Sequence, residues 1–328
     1  SKELDIPIIG GRVRAVLADK DNDIYLTAPS GGGLWSFAPD GSSFSPLDDF
    51  GSFLAITSIN QDPFNAQRIV IGTGDRSHST VGNGAFISTD GGNSFSQMSN
   101  TTIASDSDFK YIKLIKFSPE TQNTMYMVTS SRLYKSTDAG NTWNMVLKPG
   151  GPIRSIDFTA NTGVVVAVDR KGVYTSPNGD SDSFTLQTDG IANGIGVGGI
   201  VIATHKANRN IVYALIGSGI RNRGEFVKST DGGESWVELT KPPLTFSQLF
   251  FSLSIGVHPT DPNKVIVGNI EWAYTTDGGT SWFKGAKLEV DFHTVHFHES
   301  DPDVAFIGYD QGIGRVDFNE TMVVTVIN

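Results

Sequence analysis

The sequence predicts an all-β protein, a single seven-bladed β-propeller with four antiparallel strands in each blade. Three observations support this prediction: a short motif recurs at nearly constant spacing, apolar residues alternate in short runs, and turn-forming residues are frequent. The chain has 328 residues, of which 37 are glycine and 14 are proline. Apolar residues do not recur at helical spacing over any helical length, which argues against an α-helical fold.

The recurring motif has the form [ST]-x-D-x-G-x-[ST]-[WF]. Four clear copies are STDGGNSF (88–95), STDAGNTW (136–143), STDGGESW (229–236) and TTDGGTSW (275–282). Degenerate copies, which match the motif only in part, lie at SPNGDSDSF (176–184), PDGSSF (39–44) and RVDFN (315–319). Together they define seven units of about 46 residues, and a period of that length is typical of propellers. The blades are expected at residues 12–47, 54–98, 111–147, 153–189, 197–239, 251–285 and 292–328 of one domain spanning 1–328.

Each unit contains the same succession of predicted strands. An alternating apolar run such as 112–117 or 153–158 is followed by a turn rich in Asp, Pro and Asn, and then by a β-branched run such as 164–166 or 265–267. A third strand leads into the motif, and a fourth follows its aromatic residue. Four short strands per unit, repeated seven times, bury their apolar faces only by closing into a ring.

The motif itself predicts a tight hairpin between the third and fourth strands. Its hydroxyl and carboxylate accept hydrogen bonds from backbone N–H groups of the turn, and its glycines supply positive φ. We therefore interpret the Asp residues as structural. The aromatic residue that ends each motif is expected to be buried between blades, at Phe95, Trp143, Phe184, Trp236 and Trp282.

Composition narrows the functional classes. The 25 basic and 35 acidic side chains leave a net charge of −10, without a Lys/Arg run, so nucleic acid is not an expected partner. Insertion into a membrane is not expected because no apolar stretch approaches 20 residues. The absence of cysteine excludes disulfides, thiolate metal sites and a cysteine nucleophile. No cofactor or metal motif is recognised.

On these motifs the chain resembles the Asp-box (bacterial neuraminidase repeat) superfamily, which contains sialidases, two-propeller xyloglucan hydrolases, sortilin-like receptors and secreted bacterial propellers. The final unit, with DFHTVHF (291–297) and YDQGIGR (309–315), is similar to the secreted bacterial members. Asp291 and His293 match two polar positions of their pattern, and Glu289 stands where a first histidine is expected. The resemblance implies an extracellular or cell-surface protein, and we expect it to be part of a longer multidomain chain.

The enzymes of that superfamily are matched poorly. A sialidase would need an arginine triad, a Tyr-Glu pair and an Asp acid, and the string nearest to its Arg-Ile-Pro motif is GPIRS (151–155), in the wrong order. The xyloglucan hydrolases carry a catalytic Asp after the second strand of the first blade, where this chain has LTAPSGGGLW (26–35) without a carboxylate. They also need a second propeller to form the cleft.

Candidate binding residues lie on loops that follow the second strand of a blade or join consecutive blades, because these loops share one face of the ring. The long polar loop 73–83 and the loop 217–224 are the most conspicuous. Trp272 is expected to be exposed and to stack on a sugar. The candidates are Asp75, Arg76, His78, Arg132, Arg170, Arg221, Arg223, Glu271, Trp272, Asp291, His293 and Asp310.

Several features leave two interpretations open. Strand alternation places His296 and His298 on one face and Asp291 and His293 on the other, where they either bind a cation or form a hydrogen-bond network. Ca²⁺ binding at Asp48/Asp49 or Asp106/Asp108 has no supporting motif. The apolar connector 240–251 is a recognition patch or a plug. Residues 2–8 or 321–326 complete the last blade, or both do.

The sequence thus favours a secreted or cell-surface module that binds a glycan or a protein ligand on its loop-rich face. The alternative is a glycoside hydrolase, sialidase-like or xyloglucanase-like, that uses acidic residues of the same face. A purely structural repeat is the third interpretation. Two carboxylates at glycosidase separation in a cleft would favour the enzyme, and a shallow face with exposed aromatic residues would favour the binding module.

Overall fold

The computed structural model confirms a seven-bladed β-propeller of four-stranded antiparallel blades. It describes residues 11–19, 21–47, 55–193, 197–218, 223–249, 251–286, 288, 290–298, 300–318 and 323–327, without the side chains of residues 197, 223 and 323. Within each blade the strands are hydrogen-bonded in chain order. The first strands of most neighbouring blades contact each other, which places them around the central channel.

The strands of the first four blades are short and separated by turns. The first blade contains β1 (Val13–Asp19), β2 (Ile24–Pro29), β3 (Trp35–Phe37) and β4 (Phe44–Pro46). The second contains β5 (Ile56–Asp62), β6 (Asn65–Thr73), β7 (Ala85–Ser88) and β8 (Ser96–Gln97). The third contains β9 (Leu114–Phe117), β10 (Met125–Val128), β11 (Leu133–Ser136) and β12 (Asn144–Leu147). The fourth contains β13 (Ile153–Phe158), β14 (Val164–Val168), β15 (Gly172–Ser176) and β16 (Thr185–Leu186).

The last three blades follow the same plan. The fifth contains β17 (Val197–Thr204), β18 (Val212–Ser218), β19 (Arg223–Ser229) and β20 (Val237–Glu238). The sixth contains β21 (Ser254–Val257), β22 (Val265–Gly268), β23 (Trp272–Thr275) and β24 (Phe283–Lys284). The seventh contains β25 (Phe292–Phe297), β26 (Val304–Tyr309), β27 (Gly312–Asp317) and β28 (Val323–Ile327). The described helical residues form short 3₁₀ turns at Arg76–His78, Ser99–Thr101 and Ser107–Lys110. Among the described residues, none forms a helix of the length and apolarity that a membrane span requires.

The apolar core is divided among the interfaces between blades. Seven clusters of buried side chains occur, and each combines residues of two consecutive blades. One of them joins the seventh blade to the first through Val13, Phe37, Phe306 and Ile327. No blade covers its own apolar faces, so packing against both neighbours stabilises the whole ring.

The ring closes through the C-terminal part of the chain. Residues 323–327 form β28, the outermost strand of a seventh blade made from four consecutive strands. This agrees with the expectation that residues 321–326 complete the last blade. The other candidate for closure, residues 2–8, lies outside the described residues.

The recurring motif forms the predicted hairpin between the third and fourth strands. In the second blade, Ser88 Oγ accepts a hydrogen bond from Gly92 N at 2.8 Å, and Asp90 Oδ1 accepts one from Ser94 N at 2.9 Å. The same two bonds recur in the other three clear copies, at 2.8–3.0 Å. Hydrogen bonds from serine and from the turn lower the pKa of Asp90 to about 2. The prediction that these Asp residues stabilise turns is confirmed.

The prediction that the motif aromatics are buried is correct for Trp236 but wrong in degree for the other four. Trp236 is 5% exposed, because the connector residues Asp189 and Ile191 cover it and Asp189 O accepts a hydrogen bond from its backbone N–H at 3.1 Å. Phe95, Trp143, Phe184 and Trp282 are half-buried, packed against the interblade clusters. They lie at the ends of hairpins on the rim of the interface, so one ring edge stays in water.

The innermost strands have one edge, along the channel, that is not paired with another strand. Polar side chains of the preceding blade accept hydrogen bonds from backbone N–H groups of that edge. A buried backbone N–H without a partner is costly, so each of these bonds favours a particular register between blades. In each described case a side chain of one blade accepts a hydrogen bond from a backbone N–H of the next, at 2.8–3.3 Å. Ser58 Oγ accepts from Ile115 N, Asn60 Oδ1 from Phe117 N and Ser155 Oγ from Ile202 N. Asp157 Oδ2 accepts from Thr204 N, and His296 Nε2 accepts from Ala18 N.

We expect Asp231→Ala to lower the free energy of unfolding by about 1–2 kcal/mol, because three hydrogen bonds donated by Glu234 and Ser235 lose their acceptor. Glu234→Ala removes the same charge from the same hairpin and should change stability by less than about 0.5 kcal/mol. Urea unfolding of both variants measures the difference. Equal effects would contradict a turn-stabilising role for Asp231.

Candidate functional site

The loops after the second strand and between blades open on one face of the ring, and bulges there direct polar side chains toward the channel. In five blades the ladder between the first two strands is irregular at the second residue of the inner strand. A bulge rotates the side chain of the extra residue out of the regular alternation. The extra residues are Arg14, Thr57, Arg154, Gly198 and His293, and Lys113 takes the corresponding place before β9.

We call the residues Arg12, Arg14, Asp75, Lys113, Arg154, Asp169, His293 and Asp310 the channel mouth. They belong to the first, second, third, fourth and seventh blades. The charges of Arg12, Asp75, Arg154 and Asp310 all contribute to the electrostatic environment of Arg14. The ring therefore gathers side chains that are up to 298 positions apart in the sequence.

The loop after β6 supplies the first anion of the mouth. Asp75 caps the 3₁₀ turn Arg76–His78, where its Oδ1 accepts from Ser77 N at 2.8 Å. Its Oδ2 lies 2.8 Å from His78 Nδ1 and 3.4 Å from a terminal nitrogen of Arg14. Burial raises the pKa of Asp75, but the bonds from Ser77 and His78 and the charge of Arg14 outweigh it and bring the pKa to about 2.

The seventh blade supplies the second anion. Asp310 Oδ1 accepts hydrogen bonds from Arg12 Nε at 2.8 Å and from His293 Nε2 at 2.7 Å. Burial lowers the pKa of His293 to about 4, so it is neutral at pH 7 with its proton on Nε2. Its Nδ1 is buried without a hydrogen-bond partner. The guanidinium of Arg12 also lies 3.9 Å above the ring of Phe251.

Arg154 and Asp169 of the fourth blade form the third ion pair, with bonds of 2.6 and 3.2 Å between the guanidinium and the two carboxylate oxygens. Lys113 lies beside this pair and, among the described residues, donates to the backbone carbonyl of Ile153 at 3.0 Å rather than to a carboxylate. Desolvation, with the charges of Arg154 and Arg14, lowers the pKa of Lys113 to about 7, against the opposing effect of Asp169 and Asp75.

Of the predicted binding residues, Asp75, His78, His293 and Asp310 converge on or beside the mouth. Asp291 accepts a bond from Ser252 Oγ at 3.1 Å, while His293 bonds to Asp310, so the proposed Asp291–His293 pair is not formed. The strand alternation behind that pair is broken by the bulge after Phe292, and Asp291 precedes the strand with φ 63°. The hydrogen-bond network that was the other interpretation is present instead.

The remaining candidates do not join the mouth. Arg76 and Arg170 are exposed, Arg132 pairs with Asp108, and Glu271 bonds to Lys284 at 2.6 Å. Arg221 lies outside the described residues, and the side chain of Arg223 is not described. Asp106 and Asp108 are engaged by Tyr134 and Arg132, and no cluster suited to a metal ion occurs among the described residues. Asp48 and Asp49 lie outside the described part of the chain.

The expectation that Trp272 is exposed is wrong. The residue is 2% exposed and packs with Phe292 and Ile307 in the interface between the sixth and seventh blades. Its ring covers Gly285 so closely that a Cβ there would approach Cε2 to 1.9 Å. As the first residue of β23, it points into the interblade core rather than along the loop toward solvent.

The connector 240–251 acts as a plug in its described part. Leu244 and Phe246 are buried in the cluster between the fifth and sixth blades, where the Phe246 ring lies on Gly224. Glu271 anchors the segment by accepting from Thr245 N at 3.2 Å. Phe251, at the end of the connector, contacts the mouth because its ring packs against the guanidinium of Arg12.

Sequence reasoning missed Arg12, Arg14, Lys113 and Asp169 as site residues, and considered Arg154 only for a sialidase motif. A signal for them exists: Arg14, Lys113, Arg154 and His293 occupy the same position at the start of an inner strand. Comparison of that position from blade to blade would have selected them, because a charged residue there interrupts an apolar run.

Two grooves of the described structure lie away from the mouth. One of about 310 Å³ is lined by Tyr25, Phe37 and Pro39 of the first blade. The other, of about 500 Å³, lies between the fourth blade and the hairpin of the fifth, and its walls include Asp189, Asp231 and Glu234. Asp231 is held in its hairpin, with its pKa lowered to about 2 by bonds from Ser235 and Ser229 despite partial burial.

Comparison with solved structures places the fold among known propellers. A GH74 enzyme of Niastella koreensis superposes with a TM-score of 0.73 at 17% identity, over 96% of this chain and 54% of the enzyme. The chain therefore spans about half the length of that enzyme. YCF48 bound to a D1 peptide gives a TM-score of 0.65 at 17% identity, over 94% of this chain and 93% of YCF48.

A third similar structure is PorZ, a surface component of the type-IX secretion system of Porphyromonas gingivalis, with a TM-score of 0.67 at 12% identity over 98% of this chain and 39% of PorZ. At such identities the likeness establishes the propeller fold alone. No protein-family model matches the sequence, and no curated protein matches it.

Proposed function

We propose that this propeller is a binding module of a secreted or cell-surface protein and that it holds a glycan or protein ligand at the channel mouth. The observation that carries the proposal is the convergence of three ion pairs and Lys113 from separate blades at one end of the channel. Polar side chains held by a rigid scaffold on a loop-rich face are typical of a recognition site. Surface and peptide-bound propellers among the similar structures support the proposal.

The acid–base state of the mouth favours binding over hydrolysis. A glycosidase of the common type needs a carboxylic acid with a raised pKa beside a second carboxylate. Here the pKa of Asp75 is about 2, and the bonds from Arg12 and His293 hold the pKa of Asp310 below its usual value despite burial. Asp169 accepts two bonds from Arg154 and one from Ile200 N at 3.2 Å. Asp75 and Asp310 are therefore poor proton donors.

The alternative, a glycoside hydrolase, rests on GH74 enzymes among the similar structures. Burial raises the pKa of Glu225, and Glu238 raises it further. Glu225 lies on β19 and Glu238 on β20, the two outer strands of the fifth blade, and neither is at the mouth. Hydrolysis of xyloglucan or a sialoside that is abolished by Glu225→Gln would establish the enzyme and contradict the proposal.

The test of the binding module is a screen of the purified protein against glycans and peptides, followed by titration of each hit. Arg12→Ala should weaken binding at least tenfold, because it removes the cation that joins Asp310 to Phe251. Arg209→Ala, which removes a cation paired with Glu120 on the opposite face, is the matched control and should bind normally. Equal affinities of the two variants would exclude the mouth as the site.

A further inference from the structure

Lys113 differs from the other cations of the mouth. Arg12, Arg14 and Arg154 each have a carboxylate within 3.4 Å, whereas the described hydrogen bond of the Lys113 ammonium goes to a neutral carbonyl. Lys113 is half-buried, and a cation that is largely removed from water without a carboxylate partner costs free energy. An anion that entered the mouth would therefore meet in Lys113 a cation that no described carboxylate holds.

The surroundings of Lys113 are also suited to receive an anion. Arg14 contributes to the electrostatic environment of Lys113, and its Nε is buried without a hydrogen-bond partner among the residues that the structure describes. Arg154 presents a second guanidinium from the fourth blade. The negative groups that face Lys113 are Asp169 and Asp75, and each of them already has an arginine partner.

The ligand is better matched by a peptide than by a sugar. The two aromatic residues proposed or found near the mouth offer little surface to a sugar ring: Trp272 is buried, and Arg12 covers one face of Phe251. A carboxylate on a flexible chain needs only a cation and donors, which Lys113 and Arg14 supply.

We propose that Lys113 is the anion-receiving residue of the mouth, that it binds a carboxylate of an acidic peptide segment of a protein partner, and that it takes up a proton as this ligand enters. This rests on the proposed function, since it takes the mouth as the ligand site. The pKa of about 7 explains the proton uptake: the amine is partly neutral in the free protein, and a bound carboxylate favours its charged form. Below pH 7 the Lys113 amine is mostly protonated before the ligand binds, whereas above pH 7 it must take up a proton from the buffer as the ligand binds.

The experiment titrates acetyl-Gly-Glu-Gly-Glu-Gly-amide and its Gln counterpart into the protein by calorimetry between pH 6.5 and 9. Two phosphate-free buffers of different ionisation enthalpy report the protons taken up. The Glu peptide remains ionised over this range, so the affinity should fall by about fifty- to a hundredfold from pH 6.5 to 9 through Lys113 alone. The Gln peptide should bind at least tenfold more weakly at pH 7.

Two variants separate binding from structure. Lys113→Met should abolish peptide binding without lowering the melting temperature, because a half-buried cation that bonds only to a carbonyl among the described residues is replaced by an apolar side chain of similar length. Lys113→Arg keeps a permanent charge and should bind with little dependence on pH. His78 lies beside the mouth, within hydrogen-bonding distance of Asp75 and Arg12, and is a second titratable side chain there, so His78→Gln must retain the decline above pH 7.

A second measurement follows the ionisation of Lys113 in the wild-type protein, and a variant serves only to assign the resonance. Reductive methylation with ¹³C-formaldehyde places a label on each lysine, and the resonance lost in Lys113→Arg identifies Lys113. Its titration midpoint should lie near 7 and move upward when the Glu peptide is added.

Three results would overturn the proposal: affinity for the Glu peptide that does not change with pH, normal binding by Lys113→Met, or no binding of the Glu peptide at millimolar concentration. Preferential binding of an oligogalacturonate of equal charge would assign the site to acidic glycans and contradict the peptide ligand. A neutral glycan that binds independently of Lys113 would leave the binding-module proposal intact and refute this one.

Discussion

Replacing Trp272 with alanine is expected to lower the free energy of unfolding by about 3–5 kcal/mol, the cost typical of removing a large buried aromatic side chain. The residue fills the interface between the sixth and seventh blades, where it contacts the cluster of Phe292 and Ile307 and covers Gly285. A cavity at this position weakens the packing on which both blades depend. Urea unfolding followed by tryptophan fluorescence, with circular dichroism as a second probe, measures the loss.

The matched control for this prediction is Trp35→Ala in the first blade. Trp35 is also the first residue of a third strand, but it is half-buried and its Nε1 donates to Gly32 O at 2.7 Å. Trp35→Ala should lower the free energy of unfolding much less than Trp272→Ala does. Trp272→Phe should also cost less than Trp272→Ala, because it keeps part of the ring volume and removes an Nε1–H that is buried without a partner. Loss of ligand binding with unchanged stability would restore Trp272 as a binding residue.

The second large effect is expected at Asp75. Asp75→Ala should lower the free energy of unfolding by about 2–4 kcal/mol, because Arg14 and His78 lose their charged acceptor and the 3₁₀ turn Arg76–His78 loses its cap. The same change should weaken ligand binding, since Arg14 is no longer held in place. Chemical unfolding and peptide titration of one preparation measure both effects.

The stability difference between wild type and Asp75→Ala depends on pH through the pKa of Asp75, which is about 2 in the folded protein and 3.8 for an unperturbed Asp. A lowered carboxyl pKa stabilises the fold above pH 3.8, and this contribution is lost as the pH falls through 2. The gap between wild type and Asp75→Ala should therefore be constant near neutrality and narrow between pH 4 and 2. Asp182→Ala, at an exposed carboxylate, should differ from wild type by less than about 0.5 kcal/mol throughout. A gap that widens in acid would contradict the assignment.

The elements whose cause is local were predictable from the sequence. The motif hairpins follow from residues within eight positions of one another: Ser88 and Asp90 accept from Gly92 and Ser94 without help from the rest of the fold. Strand alternation and the period of about 46 residues identified the blades for the same reason. The degree of burial of the motif aromatics was less predictable, because it depends on tertiary contacts such as the connector that covers Trp236.

The charged site was only partly predictable. Loop length and polarity drew attention to Asp75 and His78, and the final unit to His293 and Asp310, and these four residues lie on or beside the mouth. Their partners Arg12 and Arg14 were missed, because Arg12 directly precedes β1 and Arg14 is its second residue, so neither shows a loop signal. Trp272 was misassigned because its place next to a loop does not reveal which way its side chain points.

The sequence by itself determined the ring: its turns are specified locally, and repeated sheets with two apolar faces have to pack side by side. Tertiary structure alone decided what the ring presents at the end of its channel. Residues of five blades meet there only after closure, and the side chains of Arg14, Arg154 and His293 are each directed by a bulge whose register depends on the neighbouring strand. The state of Lys113 is likewise a property of the closed ring, since its low pKa comes from water excluded and charges brought close by other blades.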